Sequence, residues 1–110
     1  MHTSKIIQWN CRGFKTNFNE LSLLIQKYNP VAFCLQKTHL KKSDNITLKH
    51  YSLYNAYDPD HDRAKGGSSI CVSNNILHSE IKLNTNLQAI AVRVSLHTTI
   101  TLCSIYIPPQ

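Results

Sequence analysis

The chain has 110 residues, so it forms one domain at most and buries about 60% to about 70% of its unfolded surface. Twelve Lys and Arg residues against six Asp and Glu residues give a formal charge of +6, which favours a polyanionic partner such as nucleic acid. Glu occurs only at positions 20 and 80, so the chain has little to offer the paired-carboxylate chemistry of glycosidases.

Two short apolar runs near the N-terminus predict two strands. Residues 5–10, KIIQWN, combine a β-branched pair with an aromatic residue and end at Asn10. Residues 31–40, VAFCLQKTHL, place five apolar residues before a polar group, which is typical of a strand buried on both faces with polar side chains at its carboxyl end. Open α/β sheets bind ligands at that end. We therefore expect Asn10 and Lys37 to lie close together and to mark the functional site.

An amphipathic helix is predicted between these two strands. It begins at Asn17, which places Glu20 as in a capping box, or at Asn19, which lets Phe18 pack on Leu23. It ends at the Asn29-Pro30 pair. The residues expected to face the sheet follow the helical period and are Leu21, Leu24, Ile25 and Tyr28.

The remainder of the chain predicts strands separated by polar loops. We predict a basic crossing over residues 41–50, a half-exposed strand over 50–57 and a loop over 58–67. A buried strand over 68–73, a short strand over 79–83 and a hairpin over 88–107 are predicted to follow. Taken alone, the chain is expected to form one sheet with a covering helix. The opposite face of that sheet would then be exposed and would invite aggregation or a partner.

The four cysteines predict reduced thiols. Cys11, Cys34, Cys71 and Cys103 are far apart and form no C-x-x-C pair, which excludes a zinc knuckle or a thioredoxin-type motif. The last three lie in apolar runs, as core thiols of a cytoplasmic or nuclear protein do, and a disulfide framework is the less favoured alternative. The N-terminus lacks the apolar core of a signal peptide, and no apolar stretch approaches the roughly 20 residues of a membrane span, so we expect a soluble, uncleaved chain.

Four motifs follow one another along the chain: WNCRG at 9–13, LQKTHL at 35–40, RAKGGSSICVS at 63–73 and SIYIPP at 104–109. In this order they resemble the endonuclease/exonuclease/phosphatase superfamily, and more narrowly the apurinic-endonuclease-like endonuclease domain of non-LTR retrotransposons of the jockey and LINE kind. The resemblance implies an α+β fold, namely the N-terminal half of a four-layered, DNase I-like α/β sandwich with a mixed sheet and one or two covering helices. Residues 1–110 are then expected to be a partial domain that is truncated after the YxPP strand.

The resemblance implies a magnesium-dependent phosphodiesterase that nicks target DNA, so that the exposed 3′ hydroxyl primes a downstream reverse transcriptase domain. Asn10 matches the family's active-site Asn, which orients the metal-binding carboxylate, and Tyr106 matches the Tyr placed beside the scissile phosphate. Lys37 stands where the family pattern L-Q-E-T has its metal-binding Glu. The family's later Asp-x-Asn and Asp-His pairs, which activate the nucleophile and stabilise the transition state, have no counterpart in these 110 residues.

The lysine at position 37 predicts that the metal site is lost. Mg²⁺ is held by one or two carboxylates together with water and substrate phosphate. Two unit charges about 4 Å apart interact by about 4 kcal/mol at an effective dielectric near 20. Replacing an attractive charge with a repulsive one is therefore expected to lower the affinity for Mg²⁺ by several factors of ten. We therefore expect a catalytically inactive chain without bound Mg²⁺, in which Lys37 contacts phosphate as a point charge.

The other polar groups support weaker hypotheses. Asp58, Asp60 and Asp62 suggest a metal loop, but Pro59 and Arg63 break the calcium-loop pattern, so a solvated loop is predicted. His39, His61 and His97 are scattered and are expected to take no part in chemistry. Five basic residues are expected either to form a rim that faces DNA or to be solvated loop charges, namely Arg12, Lys41, Lys42, Lys49 and Lys65.

Two alternatives to a nicking enzyme stay open at this stage. One is a non-catalytic nucleic-acid-binding remnant, whose affinity falls with salt whether or not magnesium is present. The other is a relative that acts on a small phosphate ester such as an inositol phosphate or a sphingolipid head group. Nothing in the sequence selects the second substrate.

Overall fold

The computed structural model describes residues 4–58 and 65–108. Asp60, His61 and Asp62, which the sequence singles out, lie outside the described residues. The elements in chain order are β1 (Ile6–Asn10), α1 (Phe18–Tyr28), β2 (Ala32–Gln36), β3 (Tyr51–Ala56), β4 (Ser68–Ser73), β5 (His78–Ile81), β6 (Gln88–Ser95) and β7 (Thr99–Tyr106). Each corresponds to a predicted element, although β5 begins one residue earlier and ends two residues earlier than expected.

The first sheet has the strand order β1-β2-β4-β3. β1 and β2 are parallel because α1 connects them, and the other neighbours are antiparallel. The first four residues of β2 are buried, as the apolar run predicts for a strand that is covered on both faces. The parallel register sets Asn10 opposite Gln36, one residue before Lys37. The two strand tips therefore meet, as expected.

A second sheet, with the order β5-β6-β7, packs against the first. The expectation of a single sheet with an exposed face is thus wrong. The alternating hairpin carries Ile90, Val92 and Val94 on one face, and these side chains form a core with Ala32, Cys34, Ile70 and Val72 of the first sheet. The hairpin therefore covers the surface that the sequence analysis left bare.

The helix covers the opposite face of the first sheet. Leu21 is buried against a cluster that includes Phe33 and Leu35, with Leu24 and Ile25 packed at its border. Tyr28 does not join them. The residue is 38% exposed, and its ring lies beside the ammonium groups of Lys5 and Lys27.

Both ends of the helix are set by asparagines. Asn17 is the residue before the first turn, but its side chain makes no cap. Its Nδ2 atom instead donates to the Cys11 carbonyl at 2.7 Å, so the helix begins after Asn17, as one of the two predictions had it, but without the predicted side-chain cap. Asn29 closes the helix in the left-handed region with φ of 43°, and its N–H donates to Ile25.

Two further expectations differ in outcome. All four cysteines are free thiols, and Cys34 and Cys71 are buried as predicted. Cys103 is exposed instead, because it alternates with the inward-facing Leu102 and Ser104 and therefore points away from the first sheet. In the part of the chain that the structure describes, no helix combines the length and apolar character that crossing a membrane requires.

Candidate nucleic-acid interface

A cleft of about 330 Å³ opens between the two sheets at the carboxyl ends of β2 and β7. Larger depressions border α1, but their charged lining is limited to Glu20 and Lys27 in one and Lys15 in another. The cleft between the sheets instead gathers three basic side chains and a tyrosine. It is lined by Lys37, His39, Asp58, Lys65, Gly66, Tyr106 and Pro108.

The backbone of residues 37–39 is held in an unusual conformation on this cleft. Lys37 and His39 have φ of 58° and 56°, in the left-handed region that costs a non-glycine residue about 1–2 kcal/mol. Hydrogen bonds on both sides hold them there. The N–H groups of Lys37 and His39 donate to the carbonyls of Gly67 and Gly66, each at 2.8 Å. On the other side, the Gly13 N–H donates to the Lys37 carbonyl at 2.9 Å.

A polar connection between the sheets lies beneath the cleft. Gln36 Nε2 donates to Ser104 Oγ at 2.9 Å, and Ser104 Oγ donates to the Leu35 carbonyl at 2.9 Å. Ser104 is 1% exposed, so these bonds satisfy a hydroxyl that has no access to water. Sequence reasoning missed this pair. The signal was a serine on the inward face of an otherwise apolar alternation, which indicates a partner across the core.

The predicted catalytic residues are only partly brought together. Lys37 and Tyr106 come from different sheets and line the same cleft. Asn10 is exposed at the tip of β1 and is not among the residues that line it. Strand alternation places Asn10 on the same face as Gln8, which donates through Nε2 to Gln36 Oε1. Asn10 therefore flanks the cleft on the side of the first sheet.

The predicted basic rim separates into two groups. Lys65 lines the cleft, and the exposed Arg12 immediately precedes the glycine that bonds to the Lys37 backbone. Lys41 lies outside the cleft, where its N–H donates to Asp44 at 2.7 Å. Lys42 neighbours that turn. Lys49 lies before β3, at the opposite end of the first sheet, because the cleft end of β3 is Ala56.

Among the described residues that line the cleft, the two lysines outnumber the single carboxylate of Asp58. Burial and the nearby Lys37 ammonium lower the pKa of His39 below its usual value, so the imidazole favours its neutral form at neutral pH. Elsewhere, hydrogen bonds from the Lys41 N–H and the Lys15 ammonium, which lies 2.9 Å away, lower the pKa of Asp44. Asp44 therefore neutralises its own basic neighbours and not the cleft.

The described residues that line the cleft do not form a donor set that fits a magnesium ion. Mg²⁺ requires oxygen ligands, usually with one or two carboxylates. Asp58 supplies one carboxylate to the described lining, and Lys37 and Lys65 oppose it with two ammonium groups. Over residues 4–58 and 65–108, no group of three or more His, Cys, Asp or Glu side chains could hold a metal ion.

Two packed sheets with a helix on the outer face form an α/β sandwich of the DNase I-like fold. The fold is similar to that of the endonuclease domain of TRAS1, a telomere-specific non-LTR retrotransposon, with a TM-score of 0.74 and 18% identity. The match covers 96% of this chain and 46% of the TRAS1 domain. The predicted α+β class is thereby confirmed.

Sequence comparison identifies relatives in the same kind of element. The chain is 32% identical over 111 residues to the RNA-directed DNA polymerase of the mobile element jockey from Drosophila melanogaster, and 30% identical over 112 residues to that of Drosophila funebris. A probable RNA-directed DNA polymerase of the transposon X-element from Drosophila melanogaster is 30% identical over 74 residues, which is 67% of this chain and 8% of that protein. The chain is therefore similar to one segment of the RNA-directed DNA polymerases of these mobile elements, and it shares the fold of the TRAS1 endonuclease domain.

The matched region is a small part of these relatives. The alignments include 97% and 98% of this chain but only 12% of each jockey polymerase. No family model matches the chain. The assignment therefore rests on the polymerase relatives and on the shared fold.

Proposed function

We propose that this chain binds a nucleic-acid phosphate in the cleft between its sheets and does not hydrolyse it with magnesium. The supporting observation is that Lys37, which occupies the family's glutamate position, lines this cleft together with Lys65 and Tyr106. An ammonium group at this position repels a divalent cation and attracts a phosphate. The partner is DNA, by analogy with the endonuclease domain whose fold the chain shares.

The other residues predicted for the site are also proposed to contact DNA. Asn10 and Tyr106 occupy positions that act in catalysis in the family, and here they are proposed to contact the bound strand. Arg12 and Lys65 add cationic groups at the cleft, whereas the position of Lys41 gives it at most a peripheral role. In the full element, the segment would act beside the RNA-directed DNA polymerase that its relatives carry.

Nucleic-acid binding is tested by fluorescence anisotropy with a labelled DNA duplex over a range of salt concentrations. Lys37→Met and Lys65→Met are each expected to weaken binding about three- to tenfold, and to reduce the magnitude of the salt slope by about 0.9, because each removes one phosphate contact. Lys49→Met removes the same charge at the opposite end of the sheet and is the matched control. Equal losses of affinity in all three variants would mean that DNA binds through the overall positive charge and not in the cleft, which would contradict the proposal.

Inactivity is tested by incubating the chain with supercoiled plasmid in Mg²⁺ and in EDTA. The unmodified chain is expected to leave the plasmid intact in both. Magnesium-dependent nicking that copurifies with the chain and disappears in Tyr106→Phe would overturn the proposal. Lys37→Glu provides the reciprocal measurement, because a second carboxylate in the cleft that Asp58 lines is expected to make DNA binding respond to Mg²⁺.

A further inference from the structure

The turn formed by Gly66 and Gly67 connects the two sheets at the cleft. Its carbonyl groups accept the N–H groups of Lys37 and His39 at the end of β2. Its Gly67 N–H donates in the opposite direction, to the side-chain oxygen Oε1 of Gln88 on β6. The turn is thus anchored to the second sheet and in turn fixes the backbone that carries Lys37.

The contact between this turn and Gln88 leaves no free space. A Cβ atom on Gly66 would lie 2.6 Å from Gln88 Oε1 and 3.2 Å from Tyr106 Cε2, and φ at Gly66 is +61°. The close approach therefore selects glycine at this position, and the positive φ adds to that preference. The side chains of Gln88 and Tyr106 pack directly beneath the turn.

Gln88 is itself firmly placed. It is 6% exposed and pairs with Tyr106 in the antiparallel register of β6 and β7. The Ser68 hydroxyl lies 2.8 Å from the Gln88 carbonyl and 3.1 Å from the Ser104 carbonyl, which fastens the start of β4 to both strands of the hairpin. The buried Gln88 therefore contacts the turn through its side chain and the start of β4 through its backbone carbonyl.

We propose that Gln88 is the positioning residue of the cleft, which holds the Gly66-Gly67 turn against Tyr106 and thereby sets Lys37 and Lys65 at the spacing that one phosphate bridges. This inference rests on the proposed function. Gln88 touches no phosphate in it and acts through the turn. Without the Gln88 oxygen, the Gly67 N–H would be buried with no partner, and the cost of that unsatisfied donor favours opening of the turn.

The test substitutes Gln88→Met, which keeps the length of the side chain and removes the acceptor. Affinity for labelled DNA is expected to fall about tenfold, and the salt slope is expected to lose about one phosphate contact, because the two lysines no longer converge. Amide hydrogen exchange at Gly67 is expected to accelerate. Gln88→Glu, which retains an acceptor oxygen, is expected to preserve the protection of Gly67.

The matched control is Tyr54→Phe. The Tyr54 hydroxyl and His78 Nδ1 lie 2.6 Å apart and join β3 to β5, so this variant also removes a hydrogen bond between the sheets but lies away from the cleft. It is expected to leave the affinity, the salt slope and the Gly67 exchange unchanged. The comparison separates a local effect on the cleft from a general loosening of the two sheets.

Each outcome decides one of the two proposals. If Gln88→Met binds DNA like the unmodified chain while Lys65→Met binds more weakly, the positioning role is refuted and the proposed function stands. If the Lys37 and Lys65 variants bind like the unmodified chain, the proposed function fails, and faster Gly67 exchange in Gln88→Met then marks a purely structural residue. Equal loss of affinity in Tyr54→Phe would also overturn the positioning role.

Discussion

The four thiols differ in reactivity because burial differs between them. Desolvation raises the pKa of Cys34 to about 11, with a further contribution from Cys103, and raises the pKa of Cys71 to about 12. Burial also raises the pKa of Cys11. Only the thiolate reacts with alkylating agents, so a raised pKa and a closed core both protect these three side chains.

Iodoacetamide at about pH 8 is therefore expected to modify Cys103 first and to leave Cys11, Cys34 and Cys71 unmodified in the folded chain. Peptide mass spectrometry of samples taken over time measures the order. Urea-unfolded protein is the control, in which all four sites should react at similar rates. Early modification of Cys34 in the native chain would contradict the burial of that strand.

His39 reports the charge at position 37. Its pKa is lowered by burial and by Lys37, so the folded state binds its proton less readily than the unfolded state. Protonation of His39 therefore costs the folded state free energy. The free energy of unfolding is highest above the ordinary histidine pKa of about 6.5 and decreases as the pH falls below it. Lys37→Glu replaces a repelling neighbour with an attracting one, and the pKa of His39 is expected to rise in an NMR titration. Lys49→Met should leave it unchanged.

The sequence predicted the residues of the cleft that end strands, and it missed those that join the sheets. The place of Lys37 at a strand tip was predicted from the apolar run before it, whereas Tyr106 was named as a site residue only through the family resemblance. Gln36 and Ser104 are 68 positions apart, and their hydrogen bond depends on how two sheets stack, which local pattern does not encode. The position of Gln88 under a glycine turn is hidden for the same reason.

At the scale of elements, the helix shows where periodicity succeeds and where it fails. Leu21, Leu24 and Ile25 face the sheet as the 3.6-residue period requires. Tyr28 has the right phase but occupies the last helical position, where its ring extends beyond the sheet and meets Lys5 and Lys27. Phase alone therefore identifies the buried face only where the sheet continues beneath the helix.

The two leucines Leu21 and Leu23 of α1 offer a matched test of this packing. Leu21 is 1% exposed and Leu23 is 62% exposed, although they are two residues apart on the same helix. Leu21→Ala is expected to lower the free energy of unfolding by about 2–5 kcal/mol, because it leaves a cavity against Phe33 and Leu35. Leu23→Ala is expected to change it by less than about 0.5 kcal/mol. Urea denaturation followed by circular dichroism measures both, and similar losses would contradict the assigned helix face.

At the scale of the whole molecule, the second sheet changes the surface that the chain presents. The sequence analysis predicted the hairpin but treated it as part of one sheet, because strand pattern does not say which sheet a hairpin joins. In the structure its inward residues complete the core, and the outward positions include the exposed Cys103 and Ile105 of β7. Within the described residues, β7 hydrogen-bonds to a strand on one side only, so the exposed Ile105 lies on an open strand edge.

This combination predicts self-association through β7 at high protein concentration. Ile105 is 39% exposed, so Ile105→Lys places a charge on the outward face without disturbing the core between the sheets. Sedimentation velocity is expected to show a concentration-dependent dimer for the unmodified chain and a monomer for Ile105→Lys, with the same urea midpoint for both. Ile100→Lys is the contrasting variant, because Ile100 packs against the core between the sheets and its replacement is expected to lower the midpoint. If the unmodified chain stays monomeric at all concentrations, the edge of β7 is protected by its own twist and polar neighbours, and the surface assigned to self-association is inert.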